Sequence, residues 1–79
     1  MIQVLDRAMR IMEMLGRNRS RMYTPSEIAK SLAIDTGTCN RILKSLASRG
    51  FVQQQSVRGG YQIGYKLFHI VGKQAENSE

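Results

Sequence analysis

The chain has 79 residues, 42% of them hydrophobic and 23% charged, and this size and composition predict one small folded domain rather than a disordered tail. Its apolar runs are only a few residues long, so we expect neither a membrane-spanning helix nor a secretory signal, and therefore a cytoplasmic protein. The net charge of +6 favours a polyanionic partner, which on charge alone is nucleic acid, an anionic membrane or an acidic protein.

The first predicted element is a helix over Gln3–Arg17, where apolar residues recur at helical spacing and form two adjacent stripes. The first stripe consists of Val4, Ala8, Ile11 and Leu15. The second stripe consists of Ile2, Leu5, Met9 and Met12. Together the stripes span ~180° of the helix surface, more than the ~100° that covers one core. The second stripe is therefore expected either to lie under the C-terminal segment of the same chain or to form a dimer interface.

Residues 24–50 predict two short helices joined by a tight turn. Thr24 is the expected cap, Pro25 suits the first helical position and Glu27 closes a capping box, so a second helix runs to about Leu32. After the turn, Asp35 is the expected N-cap of a third helix, whose end is marked by an Arg-Gly pair. The inward positions of this third helix are Cys39, Ile42, Leu43 and Leu46.

Beyond residue 50 the apolar pattern changes to a period near two. The strand-like residues 51–55 and 61–63 flank a pair of glycines, which predicts a β-hairpin. Residues 65–74 then predict a fourth helix, interrupted or frayed at Gly72, before a solvated end. The predicted fold is mainly α with a small β-hairpin: a winged helix-turn-helix with a three-helix core, a two-stranded wing and a C-terminal linker helix. The domain is expected to cover residues 1–72, with residues 73–79 as a tail or the start of a linker.

The third helix is polar and basic on the face opposite its apolar stripe, and that face has no carboxylate. Because Arg binds guanine and Asn binds adenine through paired hydrogen bonds, the candidates for reading base edges are Thr38, Asn40 and Arg41. The candidates for phosphate contacts are Ser26, Thr36, Gly37, Lys44 and Ser45. The missing side chain of Gly37 either permits close approach of the backbone or marks a neutral surface position.

The tip of the predicted wing carries Arg58 and Gly59. Arg58 either enters an adjacent minor groove, where narrow A·T tracts concentrate negative potential, or is a solvated turn residue. Other basic residues near the helix-turn-helix, Arg19, Arg21 and Lys30, either contact phosphates or are solvent-facing charges, and individually each is expected to be the latter.

Three stretches of the chain resemble the N-terminal DNA-binding domain of IclR-type bacterial transcriptional regulators. They are IQVLDRAMRIMEML, TPSEIAKSLAIDTGTCNRILKSLASRGFV and GGYQIGYKLF, and together they cover about residues 2–72. The resemblance implies a winged helix that dimerises partly through its first helix and binds a palindromic operator. It also implies a bacterial protein of the cytoplasm that is associated with the nucleoid.

The chain departs from the family pattern around the turn. It has Ala33 where a glycine is usual, Asp35 where the family tends to have proline, and Gly37 where it tends to have serine. Asp35 places a negative charge near the expected phosphates. IclR-type regulators continue into an effector-binding domain, so this chain is either an excised domain or a naturally short protein, and no small-molecule effector site is expected in it.

Other classes of function compete with this interpretation. The only nucleophile and base for an enzyme are Cys39 and His69, and Cys39 falls on the buried stripe, so we expect no enzyme. One cysteine gives no internal disulfide, and no metal or cofactor is expected. RNA binding is disfavoured because the few aromatic residues are needed for the core.

The predicted function is therefore sequence-specific binding of double-stranded DNA in transcriptional regulation. The recognition helix, about residues 36–49, enters the major groove of the duplex, and the chain acts as a homodimer. The alternative is a protein-interaction or dimerisation module with only weak, non-specific DNA binding.

Overall fold

The computed structural model describes residues 2–56 and 59–77, and the elements in this part of the chain follow the predicted order. They are α1 (Gln3–Arg17), α2 (Pro25–Leu32), α3 (Thr36–Ser48), β1 (Val52–Gln54), β2 (Tyr61–Ile63) and α4 (Tyr65–Asn77). The two strands form an antiparallel hairpin after three helices, so the predicted winged helix-turn-helix is confirmed. None of the described helices is both long enough and apolar enough to cross a membrane.

The fourth helix differs from its prediction. It continues through Gly72 as far as Asn77, so the interruption predicted at Gly72 is wrong. A single glycine costs a helix only about 1 kcal/mol relative to alanine, which is too little to end it. A side chain at this position would meet only open space, so Gly72 serves no packing role here.

Helix α2 begins with the capping box that the sequence predicts. The backbone N–H of Glu27 donates to Thr24 Oγ1 at 3.1 Å, and the backbone N–H of Thr24 donates to Glu27 Oε1 at 2.8 Å. That hydrogen bond from the Thr24 backbone stabilises the carboxylate and lowers the pKa of Glu27 below its ordinary 4.5, with further help from Arg21. Thr24 and Glu27 therefore satisfy each other's backbone N–H groups at the start of α2.

The turn between α2 and α3 depends on a left-handed residue. Ala33 has φ 56° and ψ 47°, and the backbone N–H of Ile34 donates to the carbonyl of Ala29 at 2.9 Å. A left-handed conformation normally favours glycine because a Cβ crowds the following carbonyl. The turn holds Ala33 in this conformation at a local cost, and it directs α3 across α2.

One hydrophobic core lies between the three helices and the hairpin. Its largest fully buried side chains are Ile11, Leu15, Ile28, Cys39, Leu43 and Val52. They come from α1, α2, α3 and β1, so every element before β2 contributes to the same core. The position of α3 is consequently fixed by packing on several elements rather than by its turn alone.

The hairpin is also joined to the segment that leads into α2. Tyr23 and Tyr61 exchange two backbone hydrogen bonds, of 2.9 and 2.7 Å, and form an isolated antiparallel bridge. A Cβ on Gly60 would come within 2.9 Å of the Tyr23 backbone, so this position requires glycine for the close approach of the two backbone segments. The bridge attaches the wing to the helix-turn-helix.

Candidate nucleic-acid interface

The outward face of α3 is set by the residues that it buries. Cys39 and Leu43 are completely buried and Ile42 is nearly so, while Arg41 and Lys44 are exposed on the opposite side. No carboxylate occurs within α3 itself. The helix therefore presents a basic surface to solvent, as its sequence pattern predicts.

The three residues predicted to read base edges do not form one cluster. The guanidinium of Arg41 donates from Nη2 to Thr38 Oγ1 at 3.3 Å, which brings these two residues together. At 3.6 residues per turn, Thr38 lies about 60° to one side of Arg41 on α3, and Asn40 lies about 100° to the other. Thr38 and Asn40 are half-buried, whereas Arg41 is exposed. Arg41 is thus the most accessible of the three.

The residues predicted to contact phosphates are all exposed. Thr36, Gly37, Lys44 and Ser45 lie along α3, and Ser26 lies in the first turn of α2. One amide at the start of α3 is already occupied, because the backbone N–H of Thr38 donates to Asp35 Oδ2 at 3.0 Å. A phosphate at this helix start would consequently meet a carboxylate beside the remaining amides.

The predicted dimer stripe of α1 divides into two parts. Ile2, Leu5 and Met9 are 67%, 52% and 39% exposed, so the described part of the chain does not cover them. Met12 is half-buried and packs against the core. Val4, predicted to face the core, is exposed beside the first three, because the core ends one turn further along α1. We refer to Ile2, Val4, Leu5 and Met9 as the α1 apolar strip.

A groove separates the N-terminal half of α1 from α3. Its apolar lining comes from Val4, Leu5, Ala8, Ile42, Leu46 and Phe51. Arg41 of α3 and Arg49, the residue directly after α3, border it together with Thr38 and Ser45. The α1 apolar strip and the basic surface of α3 therefore adjoin each other.

At the wing, the predicted contact of Arg58 lies outside the described residues. The backbone N–H of Gly59 donates to the carbonyl of Ser56 at 3.0 Å, and the carbonyl of Gly59 accepts from Gln54 Nε2 at 3.2 Å. Both backbone groups of Gly59 are thus used within the turn of the hairpin.

The alternative site for an enzyme is not assembled. Cys39 is fully buried with its Sγ 3.8 Å from the carbonyl of Pro25, and burial raises the pKa of its thiol, which keeps it protonated and weakly nucleophilic. His69 lies on the exposed surface of α4. Among the described residues, no three His, Cys, Asp or Glu side chains group as metal ligands would.

Several basic residues have intramolecular partners that the sequence pattern did not reveal. Arg19 stacks over the ring of Phe68 at 4.9 Å, and Arg21 stacks over Tyr23 at 4.5 Å while its Nη2 lies 3.4 Å from Glu27 Oε2. Arg10 donates to the carbonyl of Leu32 at 3.2 Å. The partners of Arg10 and Arg19 are distant in sequence, and those of Arg21 lie two and six residues away at no helical spacing, so the sequence pattern does not indicate any of them.

Several known proteins are similar to this chain. Residues 4–56 match the family model of the IclR helix-turn-helix domain. The chain is 38% identical over 69 residues to the glycerol operon regulatory protein of Streptomyces coelicolor, an alignment that covers 87% of this chain and 27% of that protein. It is 27% identical over 66 residues to the HTH-type transcriptional regulator XynR of Escherichia coli K12, covering 84% of this chain and 26% of XynR.

A solved structure is similar as well. The crystal structure of an IclR transcriptional regulator from Alicyclobacillus acidocaldarius superposes with a TM-score of 0.84 at 29% sequence identity. The superposition covers 95% of this chain and 30% of the other. The chain therefore spans less than a third of the length of each of these relatives.

Proposed function

Because this chain belongs to the IclR helix-turn-helix family, which comprises DNA-binding domains of transcriptional regulators and not enzymes, we propose that it binds double-stranded DNA sequence-specifically through α3 in the major groove. The observation that carries the proposal is the orientation of α3. Burial of Cys39 and Leu43 leaves Arg41 and Lys44 exposed on a helix without carboxylates. A major groove admits a helix with that surface.

Within this proposal, the exposed residues have two roles. Arg41 reads a guanine, with Asn40 and Thr38 reading or supporting neighbouring positions, and a good paired contact discriminates between bases by ~1–3 kcal/mol. Phosphates are held by Ser26, Thr36, Gly37, Lys44 and Ser45, which fixes the register of α3 without reading sequence. The unequal exposure of Arg41 and Asn40 supports Arg41 as the principal base contact.

The functional unit is proposed to be a homodimer joined through the first helix. The α1 apolar strip supports this, because Ile2, Leu5 and Met9 expose large apolar side chains next to one another. Met12 supports the strip from the core rather than joining the interface directly. A two-fold dimer places two copies of α3 on inverted half-sites of a palindromic operator.

The α1 apolar strip also favours the second candidate, a dimerisation module with weak, non-specific DNA binding. The two candidates differ in base preference, which duplexes selected from a randomised pool measure directly. Under the DNA-reading proposal, Arg41→Ala relaxes preference at one base pair per half-site, and Lys44→Ala weakens all duplexes alike. The logarithm of affinity falls with the logarithm of salt concentration.

A matched control is Arg17→Ala, which removes the same charge from the exposed C-terminal end of α1, away from α3. Duplex binding that ignores salt, Arg41→Ala and Lys44→Ala would refute the DNA-reading proposal. For the dimer, Leu5→Glu should halve the mass of the particle in solution, while Glu13→Gln on the solvent side of α1 should not. A wild-type chain that is monomeric on its operator would refute the dimer.

A further inference from the structure

Three side chains at the start of α3 form a hydrogen-bonded series. Asp35 Oδ2 accepts from the backbone N–H of Thr38 at 3.0 Å and from its hydroxyl at 3.4 Å. The Thr38 hydroxyl oxygen in turn accepts from Arg41 Nη2 at 3.3 Å. A hydroxyl has one proton and two lone pairs, so donating the proton to Asp35 leaves a lone pair directed to Arg41. We call Asp35, Thr38 and Arg41 the α3 series.

Gly37 lies between the two ends of the α3 series. A Cβ at this position would stand 3.2 Å from Asp35 Oδ2 and 3.8 Å from Arg41 Nη1. The first distance is tighter than ordinary van der Waals contact, so any side chain at residue 37 pushes on the carboxylate. The missing side chain of Gly37 thus leaves open the space beside the Asp35 carboxylate and the Arg41 guanidinium.

The α3 series holds a long, flexible cation at a defined place. Side chains of a helix lean towards its N-terminus, and the bond to Thr38 keeps the Arg41 guanidinium one turn back along α3. This is the end of a recognition helix that contacts base edges. A side chain that is held before binding loses less conformational freedom when it meets its partner.

We propose that Asp35 is a positioning residue for base recognition: through Thr38 it holds Arg41 over one base pair, and Gly37 leaves the room for this arrangement. The inference rests on the proposed function, because it assigns selectivity within the same DNA-binding surface. Its cost is electrostatic, since the Asp35 carboxylate repels phosphates near the start of α3. Asp35 therefore lowers affinity for all duplexes and raises the preference for one.

The test compares the 79-residue chain and its variants on a duplex selected from a randomised pool, and on duplexes in which each base pair is exchanged in turn. Arg41→Ala is expected to abolish a preference of about 5- to 150-fold at one base pair. Asp35→Asn keeps a good N-cap acceptor, so the fold and its melting temperature are retained. It is expected to lower the preference at that same base pair about threefold or more, because a neutral acceptor holds the Thr38 hydroxyl less strongly.

Two further variants separate positioning from a merely structural role. Gly37→Ala places a Cβ 3.2 Å from the Asp35 oxygen that caps α3, so it is expected to lower the preference at the base pair of Arg41. The better helix propensity of alanine offsets the weakened cap, so the melting temperature is expected to stay near that of the wild type. In an Arg41→Ala background, Asp35→Asn is expected to have no further effect on the preference at the base pair of Arg41. The charge-matched control is Glu13→Gln on the exposed face of α1, which removes one negative charge without altering any preference.

Asp35→Asn is also expected to strengthen binding to an unrelated duplex about two- to fivefold, because one repulsive charge is removed. If the wild type is selective but Asp35→Asn leaves the preference of the Arg41 base pair unchanged, or lowers all preferences equally, the positioning role is overturned while the proposed function stands. It is likewise overturned if Arg41→Ala alters no base preference. If the wild type prefers no duplex sequence, the proposed function and this inference fail together.

Discussion

The starts of α2 and α3 are both capped by a side-chain oxygen, but the two caps differ in what else they hold. At α2 the Thr24 hydroxyl and the Glu27 carboxylate satisfy each other's backbone groups, and the spare carboxylate oxygen lies 3.4 Å from Arg21. At α3 the Asp35 carboxylate is tied through Thr38 to the exposed Arg41.

The same local device therefore serves two purposes in this domain. The α2 cap closes its hydrogen bonds and charges within residues 21–27, so changes there are expected to alter stability alone. The carboxylate of the α3 cap is linked through Thr38 to Arg41, a side chain that faces solvent. Changes in this cap are therefore expected to alter base preference more than stability.

The most destabilising substitution lies in the hydrophobic core on which both α2 and α3 pack. Leu43 is fully buried in α3, so Leu43→Ala is expected to lower the free energy of unfolding by about 2–5 kcal/mol through lost transfer energy and a residual cavity. Urea denaturation followed by circular dichroism measures the loss. Because α2 and α3 pack on one core, we expect a single transition, and two separate transitions would contradict a shared core.

A second substitution removes the side-chain cap of α2 and leaves the cap of α3 intact. Thr24→Ala removes the acceptor for the Glu27 backbone N–H and is expected to lower the free energy of unfolding by about 0.5–2 kcal/mol. The melting temperature of this variant is compared with that of Thr36→Ala, which removes an exposed threonine that does not cap a helix. Base preferences should stay at wild-type values in Thr24→Ala. A shift at the base pair of Arg41 would show that the two caps are not separable.

A smaller gain is expected from the turn between the two caps. Ala33→Gly relieves a left-handed alanine, which costs roughly 1–2 kcal/mol, but it adds about 0.4–1 kcal/mol of unfolded-state entropy. The net expectation is a stabilisation of about 0.5–1 kcal/mol in the free energy of unfolding, seen as a higher urea midpoint. Ala47→Gly, at a half-buried position inside α3, is the matched control and should destabilise. A loss of stability in Ala33→Gly would show that the turn is not strained.

The smallest effect is a change of pH dependence at the α2 cap. The folded pKa of Glu27 is lowered, so its charged form stabilises the fold above its ordinary value of 4.5, and this contribution is lost as pH falls through the folded pKa. Glu27→Gln keeps the capping box in neutral form. The variant should therefore lose less stability than the wild type between pH 5 and pH 3, as measured by melting temperature at each pH. An equal loss in both would contradict a charged cap.

Local signals were sufficient to predict most of the fold. The cap at Thr24 and the apolar spacing of α3 each involve residues within one or two turns, so their geometry follows from short-range rules. The predicted strand of residues 51–55 is shorter in the structure, because β1 pairs only over Val52–Gln54 opposite the three residues of β2. Element ends depend on such partners, which a local pattern does not contain.

The sequence predicts which residues of α3 face solvent, but it does not predict the contacts between their side chains. The face of α3 follows from its buried residues, whereas the bond between Arg41 and Thr38 depends on side-chain conformation. The space beside Gly37 depends on where Asp35 and Arg41 point, so the sequence left two interpretations of this glycine open. Likewise, the exposure of Val4 and the burial of Met12 depend on where the core ends along α1.

The bridge between Tyr23 and Tyr61 has a mechanical consequence. Two backbone hydrogen bonds, together with the close approach at Gly60, fasten the hairpin to the chain just before α2. The hairpin and helices α2 and α3 are therefore expected to move as one rigid unit in a fixed relative position. On the hypothesis that the hairpin contacts DNA beside α3, the duplex itself must supply any adjustment between the two contacts, so sequences that bend or twist at low energy at the intervening steps would be favoured without a base contact.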